Sequence, residues 1–245
     1  MDNNKYIFES QVNYVFDVDG TMTPSRGQMD FDFSVWFEKW MKGKNVLFAT
    51  GSDYPKTQEQ MPHTILMKAI ATHCCLGNSV WIQGDEVHKD EWKLDEGARK
   101  FLTLRLNASK YSIRTGQHFE NRPGMCNFSV VGRGATKKQR SDYYNYDLKN
   151  QERYRIANEF NSAYNASGII AQVAGETGLD IIPVGKDKSQ IAEFLVGPVV
   201  FFGDKMGTNG NDKPLSDAIQ DRPNSVSVAV NNWAETWNFL KTDYS

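Results

Sequence analysis

The sequence predicts an α/β protein with a parallel sheet, interrupted by an inserted α+β unit with an antiparallel sheet. Three observations predict it. Short, continuous apolar runs alternate with helical patterns at both ends of the chain, as they do where crossover helices link parallel strands. That alternation stops near Ser79, gives way to hairpin signals and polar helical stretches, and resumes after Pro183. The length of 245 residues suits one large domain or two small ones, and 40% hydrophobic with 24% charged residues is the composition of a folded chain. The economical division is one α/β core formed by residues 1–81 and 185–245, split by an insert of residues 82–184.

Each element follows from local pattern. Residues 12–18 are an apolar run ending in acids and Gly20, the mark of a buried strand running into a loop. Phe33, Trp36, Phe37 and Trp40 recur at spacings of three and four, so residues 30–42 predict a helix. Residues 45–50 read as a second strand stopped by Gly51, with a helix following from about Pro55. Val80-Trp81-Ile82, a Gly84-Asp85 turn and Val87 read as a hairpin. The rest of the insert predicts a helix over 95–107, strands at 116–120, 125–131, 168–173 and 179–182, and one long polar helix over 136–160. Beyond it, 187–196 reads as helical and 198–202 as a continuous apolar strand ending at Gly203-Asp204. A helix at 210–219, a strand at 225–230 and a helix at 232–240 complete the chain. No internal repeat or low-complexity linker is present.

Composition narrows the function. Net charge is −2, from 28 basic and 30 acidic residues, which argues against a general nucleic-acid or membrane-surface binder. No run of ~18 apolar residues exists, so no membrane span is expected. Met1-Asp2-Asn3-Asn4-Lys5 lacks a basic region followed by an apolar stretch, so no secretory leader is expected. Three cysteines, with Cys74 and Cys75 adjacent, fit a reducing compartment better than a disulfide framework, and no Cys/His spacing reads as a zinc site. A cytoplasmic, enzyme-sized protein is the expectation.

Ligands of open α/β sheets bind beyond the carboxyl ends of the strands. Three predicted strand ends carry polar groups there: Asp17-Val18-Asp19-Gly20-Thr21, Thr50-Gly51-Ser52-Asp53, and Gly203-Asp204-Lys205 with Asn211-Asp212 close behind. Clustered carboxylates repel one another and need a cation. Oxygen donors without Cys or His favour Mg²⁺. A carboxylate beside that ion, such as Asp17, can attack a phosphoryl group, and Asp19 two residues on can act as general acid and base. Each piece has a plainer alternative: D-x-D-G as a solvated turn, Ser52 as the cap of the following helix, Asp204 as a turn residue. Phosphoryl transfer also needs a fixed cation, for which Lys188 at the start of the returning helix competes with Lys186.

Together these motifs resemble the haloacid dehalogenase superfamily of phosphotransferases. Its signature is D-x-D-G-T after the first strand, Ser/Thr after the second, a lysine, and an acidic pair after a later strand. The resemblance implies a Rossmann-like core, with the insert as its cap domain. It extends to the eukaryotic-type phosphomannomutase family. Residues 16–24 are similar to F-D-V-D-G-T-L-T-P, 51–60 to G-S-D-x-x-K-x-Q-E-Q, and 201–205 with 210–212 to F-F-G-D-K and G-N-D. Asp187-Lys188 matches the D-K that carries the family lysine. In the insert, 122–127 resembles R-N-G-M-L-N, Gly132-Arg133 resembles G-R, Arg140 falls where the family has a third arginine, and 179–183 resembles F-D-V-F-P.

The resemblance implies a phosphosugar mutase, an isomerase that interconverts mannose 6-phosphate and mannose 1-phosphate and feeds nucleotide-sugar synthesis. Asp17 would carry the phosphoryl group, primed by a sugar 1,6-bisphosphate activator. Asp19 would protonate and deprotonate the sugar oxygen, and Ser52 and Lys188 would hold the transferring group. Asp17, the Asp19 backbone carbonyl and Asp204 would bind Mg²⁺, supported by Asn211 and Asp212. Arg122, Arg133 and Arg140 would grip the phosphate that is not reacting, a task suited to planar guanidinium groups, and Asp180 would contact the sugar. Family members dimerise through the cap, so a homodimer is implied. Departures from the family also stand out. Gly178 replaces a serine, which loses one substrate hydrogen bond or hands it to water; Pro123 replaces an asparagine; and residues 213–216 lack a clear site for a second, structural cation. These keep open a hydrolase of the same superfamily, a sugar phosphatase that admits water to the aspartyl phosphate. A non-catalytic scaffold would have lost Asp17, Asp19, Lys188 or Asp204, and none is lost.

Overall fold

The computed structural model describes residues 11–208 and 210–244. Residues 1–10, and with them the reading of no leader at Met1–Lys5, lie outside the described residues. In chain order the elements are β1 (Asn13–Phe16), α1 (Phe31–Trp40), β2 (Asn45–Ala49), α2 (Tyr54–Gln60), α3 (His63–Lys68), β3 (Ala71–Cys74), β4 (Ser79–Ile82) and β5 (Asp85–Lys89). They continue with α4 (Glu96–Ala108), β6 (Phe119–Arg122), β7 (Met125–Ser129), α5 (Lys137–Asn150), α6 (Glu152–Tyr164), β8 (Ile169–Ala174) and β9 (Gly178–Pro183). The chain closes with β10 (Val199–Gly203), α7 (Lys213–Ile219), β11 (Val226–Ala229) and α8 (Trp233–Thr242). Two compact units result: one takes the described residues up to Lys89 and from Lys186 on, the other Asp90–Gly185.

The first unit is built on a seven-stranded sheet in the order β11-β10-β1-β2-β3-β4-β5. The strands from β11 to β3 run parallel, and β4 and β5 join antiparallel. Parallel strands covered on both faces are apolar along their length, and β2 and β10 are buried at every position. Helix α1 starts where Asp30 accepts from the Phe33 N–H at 3.0 Å, and it buries Phe33, Phe37 and Trp40. The Phe16 ring stacks on Phe202 at 5.0 Å and meets Phe37 edge-on at 5.4 Å, tying β1 to β10 and α1. Phe16 is level with Phe48 in β2 and Phe202 in β10, so the residues after these three strands emerge along one edge.

Two readings of this unit change. The division between units falls after Lys89, not at 81/82, because β5 pairs with β4 and extends the core sheet. The helical stretch expected over 187–196 is a short 3-10 helix, Lys188–Phe194. Asp187 caps it by accepting from the Ser189 N–H at 2.9 Å, which makes Lys188 its first residue.

The second unit has a four-stranded antiparallel sheet in the order β6-β7-β9-β8. One face packs on helices α4 and α6, where Leu102, Ile156 and Phe160 join Cys126, Phe128, Leu179 and Ile181 in one cluster. Strand side chains alternate between faces, so Glu120, Asn127, Asp180 and Gln172 share the other face. The register sets these four in a row across the four strands. The single helix expected over 136–160 is two, α5 and α6, broken at Gln151 with a left-handed φ of 52°. Buried Asp147 pins the break by accepting from the Arg153 backbone N–H and Nε, each at 2.8 Å. Cys74, Cys75 and Cys126 are buried and form no disulfide among the described residues. Among the described residues, no helix is long and apolar enough to cross a membrane.

Candidate active site

Asp17 is the first residue beyond β1, and its N–H still donates to the Phe202 carbonyl at 2.9 Å. The chain then turns at Gly20, where φ is +87° and a Cβ would overlap the Asp204 carboxylate; only glycine lets the loop pass so close. Asp17, Asp204 and Asp212 each offer a carboxylate oxygen within 4.8 Å of the others. Lys188 has no exposed surface and donates to Asp17 Oδ1 at 2.6 Å and Asp212 Oδ1 at 2.5 Å. Asp212 Oδ2 accepts from the Lys205 N–H at 2.9 Å, and the Lys205 side chain pairs with Asp204. Asn211 sits half-buried next to Asp212. Lys186, the competing lysine, is also half-buried, and its carbonyl accepts from Asn78 Nδ2 at 3.4 Å.

Electrostatics follow from this packing. Burial and the neighbouring Asp212 carboxylate push the Asp17 carboxyl well above the usual range, against the pull of Lys188. Asp204 is raised by burial and opposed by Lys205. Burial works against the Lys188 charge, but Asp17 and Asp212 more than offset it, so its pKa lies above that of an ordinary lysine. Hard oxygen donors gathered this closely, two of them pushed toward protonation, fit a divalent cation.

Asp19 lies beside this cluster, held on three sides. Its Oδ1 accepts from the Arg26 N–H at 2.7 Å and from Gln60 Nε2 at 2.9 Å, and its Oδ2 accepts from Ser52 Oγ at 3.2 Å. Ser52 therefore does not cap α2; Asp53 does, accepting from the Lys56 N–H at 3.0 Å. Gln60 was read only as part of a motif. The structure, not the sequence, shows that it aims at a partner: it is buried although polar, in the last turn of α2.

In the second unit, Arg122 ends β6, Arg133 follows β7, and Arg140 lies in the first turn of α5. Glu120 pairs with Arg122 and accepts from Arg133 Nη2 at 2.8 Å, and Arg140 Nη2 lies 3.1 Å from Glu176. Burial and the neighbouring Arg122 charge lower the Arg133 pKa, opposed by Glu120. Asp180 is buried in β9, its pKa raised by burial and held back by Arg122, Asn127 and Arg133. Sequence reasoning missed Glu120 and Glu176 and gave Asn127 no role beyond its place in the 122–127 motif, because an acid or amide on a strand or turn carries no mark of what it will face.

Residues 34–244 match the family model described as eukaryotic phosphomannomutase. Among curated proteins, the chain is 27% identical over 231 residues to a phosphomannomutase of Saccharomyces cerevisiae, covering 87% of this chain and 91% of that protein. A phosphomannomutase of Arabidopsis thaliana is 27% identical over 224 residues, covering 87% and 90%. Among solved structures, the C-terminal domain of a C. albicans trehalose-6-phosphate phosphatase superposes with a TM-score of 0.63 at 13% identity, over 97% of this chain and 93% of that one. An IMP-bound, N-terminally truncated Plasmodium falciparum IMP-nucleotidase gives 0.60 at 14% identity, over 94% and 68%. At these identities the two structures speak to the fold alone.

Proposed function

The chain belongs to the eukaryotic phosphomannomutase family, and on that premise we propose that it interconverts mannose 6-phosphate and mannose 1-phosphate by way of an aspartyl phosphate on Asp17. The observation that carries this reading is the convergence on Asp17 of Lys188 at 2.6 Å and of the Asp204 and Asp212 carboxylates.

With Asp17 Oδ1 held by Lys188, Oδ2 is the atom free to attack phosphorus. The Asp17–phosphorus bond forms as the bond from phosphorus to the sugar oxygen breaks, and Asp19 donates a proton to that departing oxygen. That first half starts from a hexose bisphosphate and releases a hexose monophosphate. In the second half the free hydroxyl of the incoming monophosphate attacks the aspartyl phosphate, Asp19 takes its proton, the Asp17–phosphorus bond breaks, and the bisphosphate is returned. Gln60, Ser52 and the Arg26 N–H orient the Asp19 carboxylate for both transfers. Lys188 and Ser52 hold the transferring phosphoryl group. Asp17, the Asp19 backbone carbonyl and Asp204, supported by Asn211 and Asp212, would hold Mg²⁺, which when bound neutralises charge on that group. Arg122, Arg133 and Arg140 hold the phosphate that is not reacting, and Asp180 accepts from a sugar hydroxyl. A hexose 1,6-bisphosphate primes the cycle. A cytoplasmic location goes with that reading, in keeping with buried cysteines that form no disulfide among the described residues. It takes the chain to act as a homodimer through the second unit.

The test is rapid-quench intact mass after exposure to a hexose 1,6-bisphosphate. One added phosphoryl group is expected on the wild-type chain and none on Asp17→Asn. A phosphoryl group retained by Asp17→Asn would contradict the assignment.

A further inference from the structure

We propose that Asn127 is a positioning residue that sets Arg133 and Asp180 in register for a hexose phosphate, and that Gly178 gives it room to do so. The inference rests on the functional reading above for the identity of the ligand, and on the geometry of the second unit for everything else.

Asn127 occupies the middle of the polar row, with Glu120 level with it on β6 and Asp180 level with it on β9. Its side chain is buried, the residue being only 5% exposed. The amide Nδ2 donates to Asp180 Oδ1 at 2.7 Å, and the amide Oδ1 accepts from Arg133 Nη1 at 3.3 Å. The bridge has a sense: the acceptor end must face the guanidinium and the donor end the carboxylate. An aspartate here would repel Asp180, and an apolar side chain would satisfy neither neighbour. Glu120 extends the same network, accepting from the other terminal nitrogen of Arg133 and pairing with Arg122. Asn127 is thus a neutral link between charged groups, joining a group suited to a phosphate to a group suited to a hydroxyl.

Gly178 lies on the same sheet face, two residues before Asp180. A Cβ there would stand 2.7 Å from Asn127 Nδ2, 3.3 Å from Asn127 Oδ1 and 3.3 Å from the Ala174 carbonyl oxygen. Its backbone is that of an ordinary strand, so the missing side chain answers to space and not to conformation. The Asn127 amide takes the space that a side chain at Gly178 would occupy. The consequence is selectivity. Arg133 and Asp180 fixed together recognise a phosphate and a sugar hydroxyl on one molecule, and inorganic phosphate uses only the first.

Calorimetric titration of mannose 1-phosphate and of inorganic phosphate tests this, using the wild-type chain, Asn127→Ala, Gly178→Ala and the double variant. Each single substitution is expected to weaken mannose 1-phosphate about tenfold, the scale of one buried hydrogen-bond partner lost, and inorganic phosphate by less. The double variant is expected to bind no worse than Asn127→Ala alone, because no amide remains for the added Cβ to displace. A purely structural role would weaken both ligands alike. Equal weakening, additive losses, or undiminished binding by Gly178→Ala would overturn the inference while leaving the functional reading standing. A wild-type chain that binds no hexose phosphate would overturn both. Gly178→Ala keeps the test decisive should Asn127→Ala fold poorly.

Discussion

Lys188, without exposed surface, holds two carboxylates that start 171 and 24 residues away in the chain. A buried ammonium persists only with such partners. Gln60 does comparable work for Asp19, whose other oxygen is left to Ser52. Gln60→Leu is expected to lower mutase kcat on the order of tenfold or more with KM near wild type, since a general acid loses its aim and not its substrate. A change confined to KM in steady-state assays would contradict that role. His73 gives the pH prediction. Neither of its ring nitrogens has a hydrogen-bond partner among the described residues, and burial drives its pKa from 6.5 down to about 4, with His88 adding to the shift. Above pH 6.5 the imidazole is neutral in folded and unfolded chains alike, so it adds no pH dependence there. Between 6.5 and about 4 the unfolded chain takes up a proton that the folded chain refuses, so stability falls as pH falls. The loss reaches about 3 kcal/mol near the lower end. Urea unfolding at pH 7 and pH 4.5 should show a smaller drop for His73→Leu than for wild type; equal drops would exclude the effect.

At the level of elements, the break between α5 and α6 matters because of what it anchors. Arg153 sits just past the break, its charge met by Asp147, and its Nη1 donates to the carbonyls of Ala174, Gly175 and Gly178 at 3.3, 2.8 and 3.3 Å. The turn from β8 to β9, and with it the strand that carries Asp180, is therefore held from the helical side. Asp147→Ala leaves the guanidinium buried and uncompensated, and a loss of about 3–5 kcal/mol in urea unfolding is expected. A loss below 1 kcal/mol would show that the pair is dispensable. The sequence marks a helical stretch but not the break within it, since Gln151 is neither glycine nor proline; its φ of 52° falls where Asp147 and Arg153 pair across the break. Strand β5 was illegible as core for the opposite reason. Asp85–Lys89 is exposed at every position, so its membership depends on pairing with β4 and not on any apolar pattern of its own.

On the scale of the whole chain, both ends build one unit and the intervening segment builds another. That division was legible because buried parallel strands leave continuous apolar runs, and β1, β2 and β10 each end in a polar cluster. The charged residues of the candidate site stand at strand ends or helix starts in the sequence, and the structure brings Asp17, Asp204, Asp212 and Lys188 into one cluster with Asp19 beside it. The roles of Gln60, Glu120 and Asn127 were not legible, because an amide or acid acquires its role from a partner far away in sequence. The central claim is isomerisation with retention of phosphate. ³¹P NMR of mannose 1-phosphate, incubated with the chain, Mg²⁺ and a catalytic amount of hexose 1,6-bisphosphate, reads both products at once. Growth of the mannose 6-phosphate resonance to equilibrium with little inorganic phosphate is expected. Inorganic phosphate rising in step with the loss of mannose 1-phosphate, with no 6-isomer, would contradict it and assign the chain to sugar-phosphate hydrolysis.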